Sequence, residues 1–178
     1  RIAWLISTSQ VTPAGVLAVT FTNKAAKEMQ SRLAAMLPIN MGNVRGMWLG
    51  TFHGLCNRML RAHHRDAGLP QLFQIMDSSD QQAAVKRLLK SLNVDDEKYP
   101  PRELTFFINA QKEAGFRPAA VEAWDEWTRK KVELYQAYEA QCQREGVVDF
   151  PELLLRCFEL LERNEPLRRH YQQRFQHI

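Results

Sequence analysis

The sequence predicts an α/β fragment with parallel strands, followed by a mostly α-helical body. Three observations carry this reading. Two short apolar runs, Val16 to Phe21 and Met47 to Phe52, each pass straight into a helical pattern, and successive strand-to-helix units build parallel sheets. Beyond Gly68 nearly every apolar position keeps a helical period. Charge divides the same way: residues 1–65 hold eight Lys and Arg against one acid, Glu28, giving +7 of a total of +4 and leaving −3 for the remainder.

In order along the chain, "RIAWLIS" reads as the tail of a helix and "TPAG" (Thr12 to Gly15) as a turn. Val16 to Phe21 is a buried strand, short and rich in β-branched residues. Thr22 or Asn23 caps the next helix, whose apolar residues Ala26, Met29, Leu33 and Leu37 recur at steps of three and four. A polar loop through Pro38, Gly42 and Gly46 leads to the second strand, and a helix from about His53 to Arg65 closes near Gly68.

After an extended piece at Leu72 to Ile75, Asp77 or Ser78 caps a helix reaching about Leu92. Pro100 and Pro101 open a further helix that Gly115 closes, and a long one spans about Ala119 to Glu145 and stops at Gly146. "VVDFPELLLRCFELLE" starts another, with Pro151 in its first turn, and Phe175 and Ile178 lead toward a further strand. Two parallel strands cannot make a covered sheet, so the sequence is expected to be a piece of a longer protein.

A hydrophobic content of 45% supports a real core. No run reaches the roughly 18 to 20 apolar residues a membrane span requires, and no leader pattern is present, so no membrane partner and a cytoplasmic location are expected. Cys56, Cys142 and Cys157 are far apart and read as buried thiols. His63 and His64 with Asp66 read as a helix surface, not a metal site. Asp149 suits either a helix cap or a motif carboxylate.

The chemistry concentrates where the strands end. In a parallel α/β unit, ligands bind at the carboxyl ends of strands, where Phe21 and Thr22 lie on one turn and Thr51, Phe52 and His53 on the other. Helix amides and hydroxyls there suit phosphate oxygens, and aromatic rings suit bases; together they suit single-stranded nucleic acid held without reading sequence. Core packing of Phe21 and Phe52 competes with that reading. A helical protein-interaction module without nucleic-acid binding is the alternative function.

"AVTFTNKAAKEMQSRL" (Ala18 to Leu33) resembles motif Ia of the UvrD/Rep group of superfamily 1 DNA helicases, and "GTFHGLCNRMLRAHH" (Gly50 to His64) resembles its motif Ib. "VVDFPELLLR" is similar to a later motif of that group, and the likeness continues through "LPQLFQIMDSSDQ" and "INAQKEAG". The resemblance implies part of a RecA-like P-loop motor domain with motifs Ia and Ib over residues 1–65, a helical insertion of the type called 1B over 66–148, and return helices over 149–178. It implies an ATP-dependent 3′-to-5′ DNA helicase and translocase, with Phe21 against a base and Thr22, Asn23, Thr51 and His53 along the sugar-phosphate chain. Phe52, Lys24 and Arg58 complete the implied DNA-binding set, and Phe107, Asn109 and Lys112 are lesser candidates on the insertion.

Single-stranded DNA, single-strand/duplex junctions and DNA repair proteins are the implied partners. ATP and Mg2+ are the implied cofactors of the parent enzyme. No GxxxxGK[ST] element occurs in the sequence. The resemblance places that loop ahead of Arg1 and the acidic DExx strand after Ile178, so no catalytic residue and no ATPase activity are expected of this chain alone.

Overall fold

A computed structural model describes residues 1–37 and 46–178, so the expected loop through Pro38 and Gly42 lies outside the described residues. In chain order the helices are α1 (Ile2–Ser7), α2 (Asn23–Met36), α3 (Phe52–Ala62), α4 (Ser78–Ser91), α5 (Pro101–Glu113), α6 (Glu126–Glu145), α7 (Phe150–Arg163) and α8 (Glu165–Arg174). The strands are β1 (Leu17–Thr20), β2 (Trp48–Thr51), β3 (Gln74–Ile75) and β4 (Val147–Val148). The chain is thus mostly helical with a few short parallel strands, and it separates into two units: Arg1–Met59 with Glu159–Ile178, and Leu60–Phe158.

In the first unit the two apolar runs form strands shorter than expected, and β1 is half-buried along its length, not fully buried. They pair in parallel, with Leu17 opposite Trp48 and Thr20 opposite Thr51. Ala26, Leu33 and Leu37 are buried, as their spacing requires, and Leu33 and Leu37 join Leu5, Ile6, Val16, Met47 and Leu49 in one core. The extended C-terminal segment also reaches β1. The amide of Leu17 donates to the carbonyl of His177 at 3.0 Å, and Val16 and His177 form a parallel bridge. Trp48 anchors α8 to β2, its ring 5.4 Å from that of Tyr171 and 5.5 Å from that of Phe175.

The second unit packs α4, α5 and α6 around a core that includes Val85, Leu89, Leu104, Ile108, Leu134 and Tyr138. Two details depart from the sequence expectation. The long helix begins at Glu126, not Ala119, because Pro118–Ala120 takes a 3₁₀ turn and the Asp125 carboxylate accepts the amide of Thr128, fixing the start at that cap. Val147 and Val148 form a strand instead of opening the next helix. Gly146 ends α6 with φ of 65°, and a Cβ there would meet Pro70 Cγ at 3.1 Å. The chain then runs extended, with the Gly146 carbonyl accepting from the Gln74 amide at 3.0 Å and the Val148 carbonyl from the Met76 amide at 2.8 Å. The units meet inside the continuous helices α3 and α7, between Met59 and Leu60 and between Phe158 and Glu159.

Lys112, a lesser candidate for DNA contact, is buried instead, at 4% exposure. Its ammonium lies 2.9 Å from both Asp149 Oδ2 and Glu152 Oε2. Arg117 grips Glu152 with two nitrogens, at 2.8 and 3.0 Å, and also pairs with Glu139. Arg156 Nε adds a bond to Glu152 at 2.6 Å. Tyr138 donates its hydroxyl to Asp149 Oδ2 at 2.8 Å, while Asp149 Oδ1 accepts the Glu152 amide at 2.9 Å. Asp149 is therefore both the cap of α7 and a buried structural charge.

Burial alone would raise Glu152, but Lys112, Arg117 and Arg156 outweigh it and hold its carboxyl well below the usual range. Burial would likewise lower Lys112, yet Glu152 and Asp149 hold it above its ordinary value. A depressed carboxyl contributes stability that is present above its unfolded value, about 4.3, and is lost as pH falls toward the folded value. A raised lysine contributes stability present below about 10.4 and lost as pH climbs through the folded value. The cluster's contribution is therefore expected to hold from about pH 5 to about pH 10 and to fall away in acid. Lys112→Met removes the ammonium that Asp149 and Glu152 share, leaving Asp149 its hydrogen bonds but not this cation, and is expected to lower the unfolding free energy by about 3–5 kcal/mol. Urea denaturation at neutral pH measures it, and an unchanged midpoint would contradict the assignment.

Candidate nucleic-acid interface

The register of β1 and β2 determines what stands at their carboxyl ends. Thr20 faces Thr51, so the next residues, Phe21 and Phe52, leave neighbouring strands side by side, about 4.8 Å apart by the spacing of paired strands. Their ring centroids are 5.5 Å apart with planes inclined at 46°. Phe21 is 90% exposed and Phe52 45%. Core packing of Phe21, the competing expectation, is overturned: its ring stands in solvent at the bend between β1 and α2.

Both strand ends are also helix starts. Thr22 Oγ1 accepts the amide of Ala25 at 3.2 Å, capping α2, and Thr51 Oγ1 accepts the amide of Gly54 at 3.2 Å at the start of α3. Thr20 steadies the bend by donating its hydroxyl to the Thr22 carbonyl at 3.1 Å. A hydroxyl that accepts an amide still has its own hydrogen to donate. Asn23 and Lys24, both exposed, occupy the first turn of α2, and His53, half-buried, that of α3. Their position places side chains and helix amides where the helix dipoles favour an anion.

Seven of the eight expected residues, Phe21, Thr22, Asn23, Lys24, Thr51, Phe52 and His53, therefore share one rim at the strand ends. Arg58 does not. It lies two turns into α3, where its guanidinium donates to the Met47 carbonyl at 3.1 Å and covers the Trp48 ring at 4.4 Å, at the opposite end of β2. Arg174 approaches the same indole, 5.5 Å from its centroid. Of the lesser candidates, Phe107 packs against the helical core with the Lys131 ammonium 5.0 Å from its ring, and Asn109 bonds Gln81 at 2.7 Å. The contact between the Phe21 and Phe52 rings went unread in the sequence, although both strands end in Thr-Phe and equal endings on paired parallel strands bring like residues together.

Over residues 1–178 the sequence matches the family described as UvrD/REP helicase N-terminal domain. DNA helicase II of Salmonella typhimurium and of Escherichia coli are each 49% identical to it over 181 residues. The ATP-dependent DNA helicase PcrA of Leuconostoc citreum is 36% identical over 180 residues. Each likeness covers 100% of this chain but only 24% of the relative.

Proposed function

Because the chain belongs to the UvrD/REP helicase N-terminal domain family, we propose that it forms the DNA-facing part of a first, RecA-like motor domain with a helical insertion, in an ATP-dependent 3′-to-5′ DNA helicase and translocase. On this reading residues 1–65 belong to the motor domain, 66–148 to a 1B-type insertion and 149–178 to the return. The observation that carries it is the solvent-exposed Phe21 ring between two helix starts, at the carboxyl ends of paired parallel strands.

Phe21 takes the face of one base of single-stranded DNA, beside a single-strand/duplex junction. Thr22 and Thr51 donate hydroxyl hydrogens to the sugar-phosphate chain. Asn23, Lys24 and His53 line the same track, with Lys24 supplying charge. Phe52 borders the platform, and Arg58 supports it indirectly by holding the start of β2. A stacked base contributes about 1–3 kcal/mol, enough to grip a strand and weak enough to release it within a cycle.

ATP and Mg2+ fall to other parts of the parent protein. The sequence has no phosphate-binding GxxxxGK[ST] loop, and among the described residues no group of three or more His, Cys, Asp or Glu is arranged to hold a metal ion.

Fluorescence anisotropy with a labelled oligothymidylate is expected to show binding that weakens with salt, with a logarithmic slope of about −0.7 per phosphate neutralised. Phe21→Ala is expected to reduce that affinity by about 1–3 kcal/mol, roughly 5- to 150-fold. Binding indifferent to both salt and Phe21 would overturn the reading, and no binding at all would favour the protein-interaction module. The purified chain is further expected to hydrolyse no ATP, and measurable turnover that follows the chain through purification would refute the placement of the nucleotide site elsewhere.

A further inference from the structure

We infer that Phe52 is a positioning residue that holds the Phe21 ring ready, not a second stacking surface, so that the pair presents a single face to a single base. The inference deepens the rim reading and rests on it.

Spacing is the first ground. A base inserted between two rings needs their centroids about 7 Å apart, twice the contact distance of about 3.5–4.0 Å between carbon atoms. The rings here are 5.5 Å apart and inclined at 46°, already in contact in the range favoured by aromatic pairs. Nothing fits between them, so any base stacks on the outside.

Unequal exposure is the second. Phe21 offers nearly its whole surface, at 90%, whereas Phe52 is half covered, at 45%. The outer face therefore belongs to Phe21 and the inner support to Phe52.

Unequal anchoring is the third. Phe21 lies on the bend between β1 and α2, outside both elements. Phe52 is the first residue of α3, whose start is held by the bond from the Gly54 amide to Thr51 Oγ1. A ring tied to a capped helix thus restrains a ring tied to a bend. The order of support runs from Thr51 to Phe52 to Phe21, and the strand register that sets Thr20 beside Thr51 brings the two rings into contact.

Two measurements test this. In the free chain, nuclear Overhauser contacts are expected between the ring protons of Phe21 and Phe52, and the Phe21 resonances are expected to shift toward averaged values in Phe52→Leu. Absence of those contacts overturns the support role whatever the chain does with DNA. Oligothymidylate affinity is then compared among the wild type, Phe21→Ala, Phe52→Leu, Phe52→Tyr and the Phe21→Ala/Phe52→Leu pair.

Phe52→Leu is expected to weaken binding about three- to tenfold, the size of one aromatic pair contact. Phe52→Tyr keeps the ring and should bind as the wild type does, while thermal melting stays unchanged in all. In the Phe21→Ala background, Phe52→Leu is expected to add nothing. Two losses that multiply would show independent platforms and refute the inference while leaving the rim reading intact. A wild-type chain without oligonucleotide affinity would refute the rim reading, with the ring contacts still deciding whether Phe52 supports Phe21.

Discussion

The parallel pairing of β1 with β2 is the constraint on which the candidate site depends. Side chains alternate along a strand, so a shift of one residue in register would move Phe52 from beside Phe21 and send its ring to the other face of the sheet. The register also brings two helix starts together, because each strand passes into its helix within two residues. One set of backbone bonds thereby decides the ring contact, both threonine caps and the direction of two helix dipoles. His177 bonds the first residue of β1 on the side away from β2.

Within the helical unit a different interaction has the corresponding place. Lys112, Arg117 and Arg156 face Asp149, Glu152 and Glu139 from α5, α6, α7 and the segment between α5 and α6. Apolar contacts would hold these helices together in many registers, since hydrophobic attraction has no direction. Bidentate and buried ion pairs have direction, and a mismatched register would leave a charge without a partner. The cluster is thus better understood as fixing how the helices meet than as a large net source of stability.

What the sequence disclosed follows from which forces are local. Strand and helix periods, the Thr22 and Asp77 caps and the stop at Gly146 all depend on neighbours within a few positions, and all were readable. The rim was readable too, since a strand running into a helix places its last residues at a known end of the sheet. Lys112 was misread because a lysine on a helix looks solvated until its carboxylate at Asp149, 37 positions away, is known. Arg58 joins the expected DNA-binding set through the motif resemblance alone. Its guanidinium is turned toward Met47 and Trp48, a preference set by tertiary packing and invisible to spacing. The start of α6 moved because a local cap at Asp125 prevailed over a helical pattern that reaches back to about Ala119.

Leaving Phe21 in solvent forgoes the 1.5–3 kcal/mol or so that burying such a side chain would contribute. A fold selected for stability alone would turn the ring inward or replace it with a polar residue. The bend that carries the ring is instead held by two hydroxyl contacts, Thr20 to the Thr22 carbonyl and Thr22 to the Ala25 amide, so the exposure is built in rather than left over from a loose loop. On the proposed reading that forgone burial is recovered only when a base covers the ring. Stacking on one face alone keeps the recovered energy within what a strand in transit can surrender at each step, whereas two independent faces would roughly double the hold and slow release accordingly.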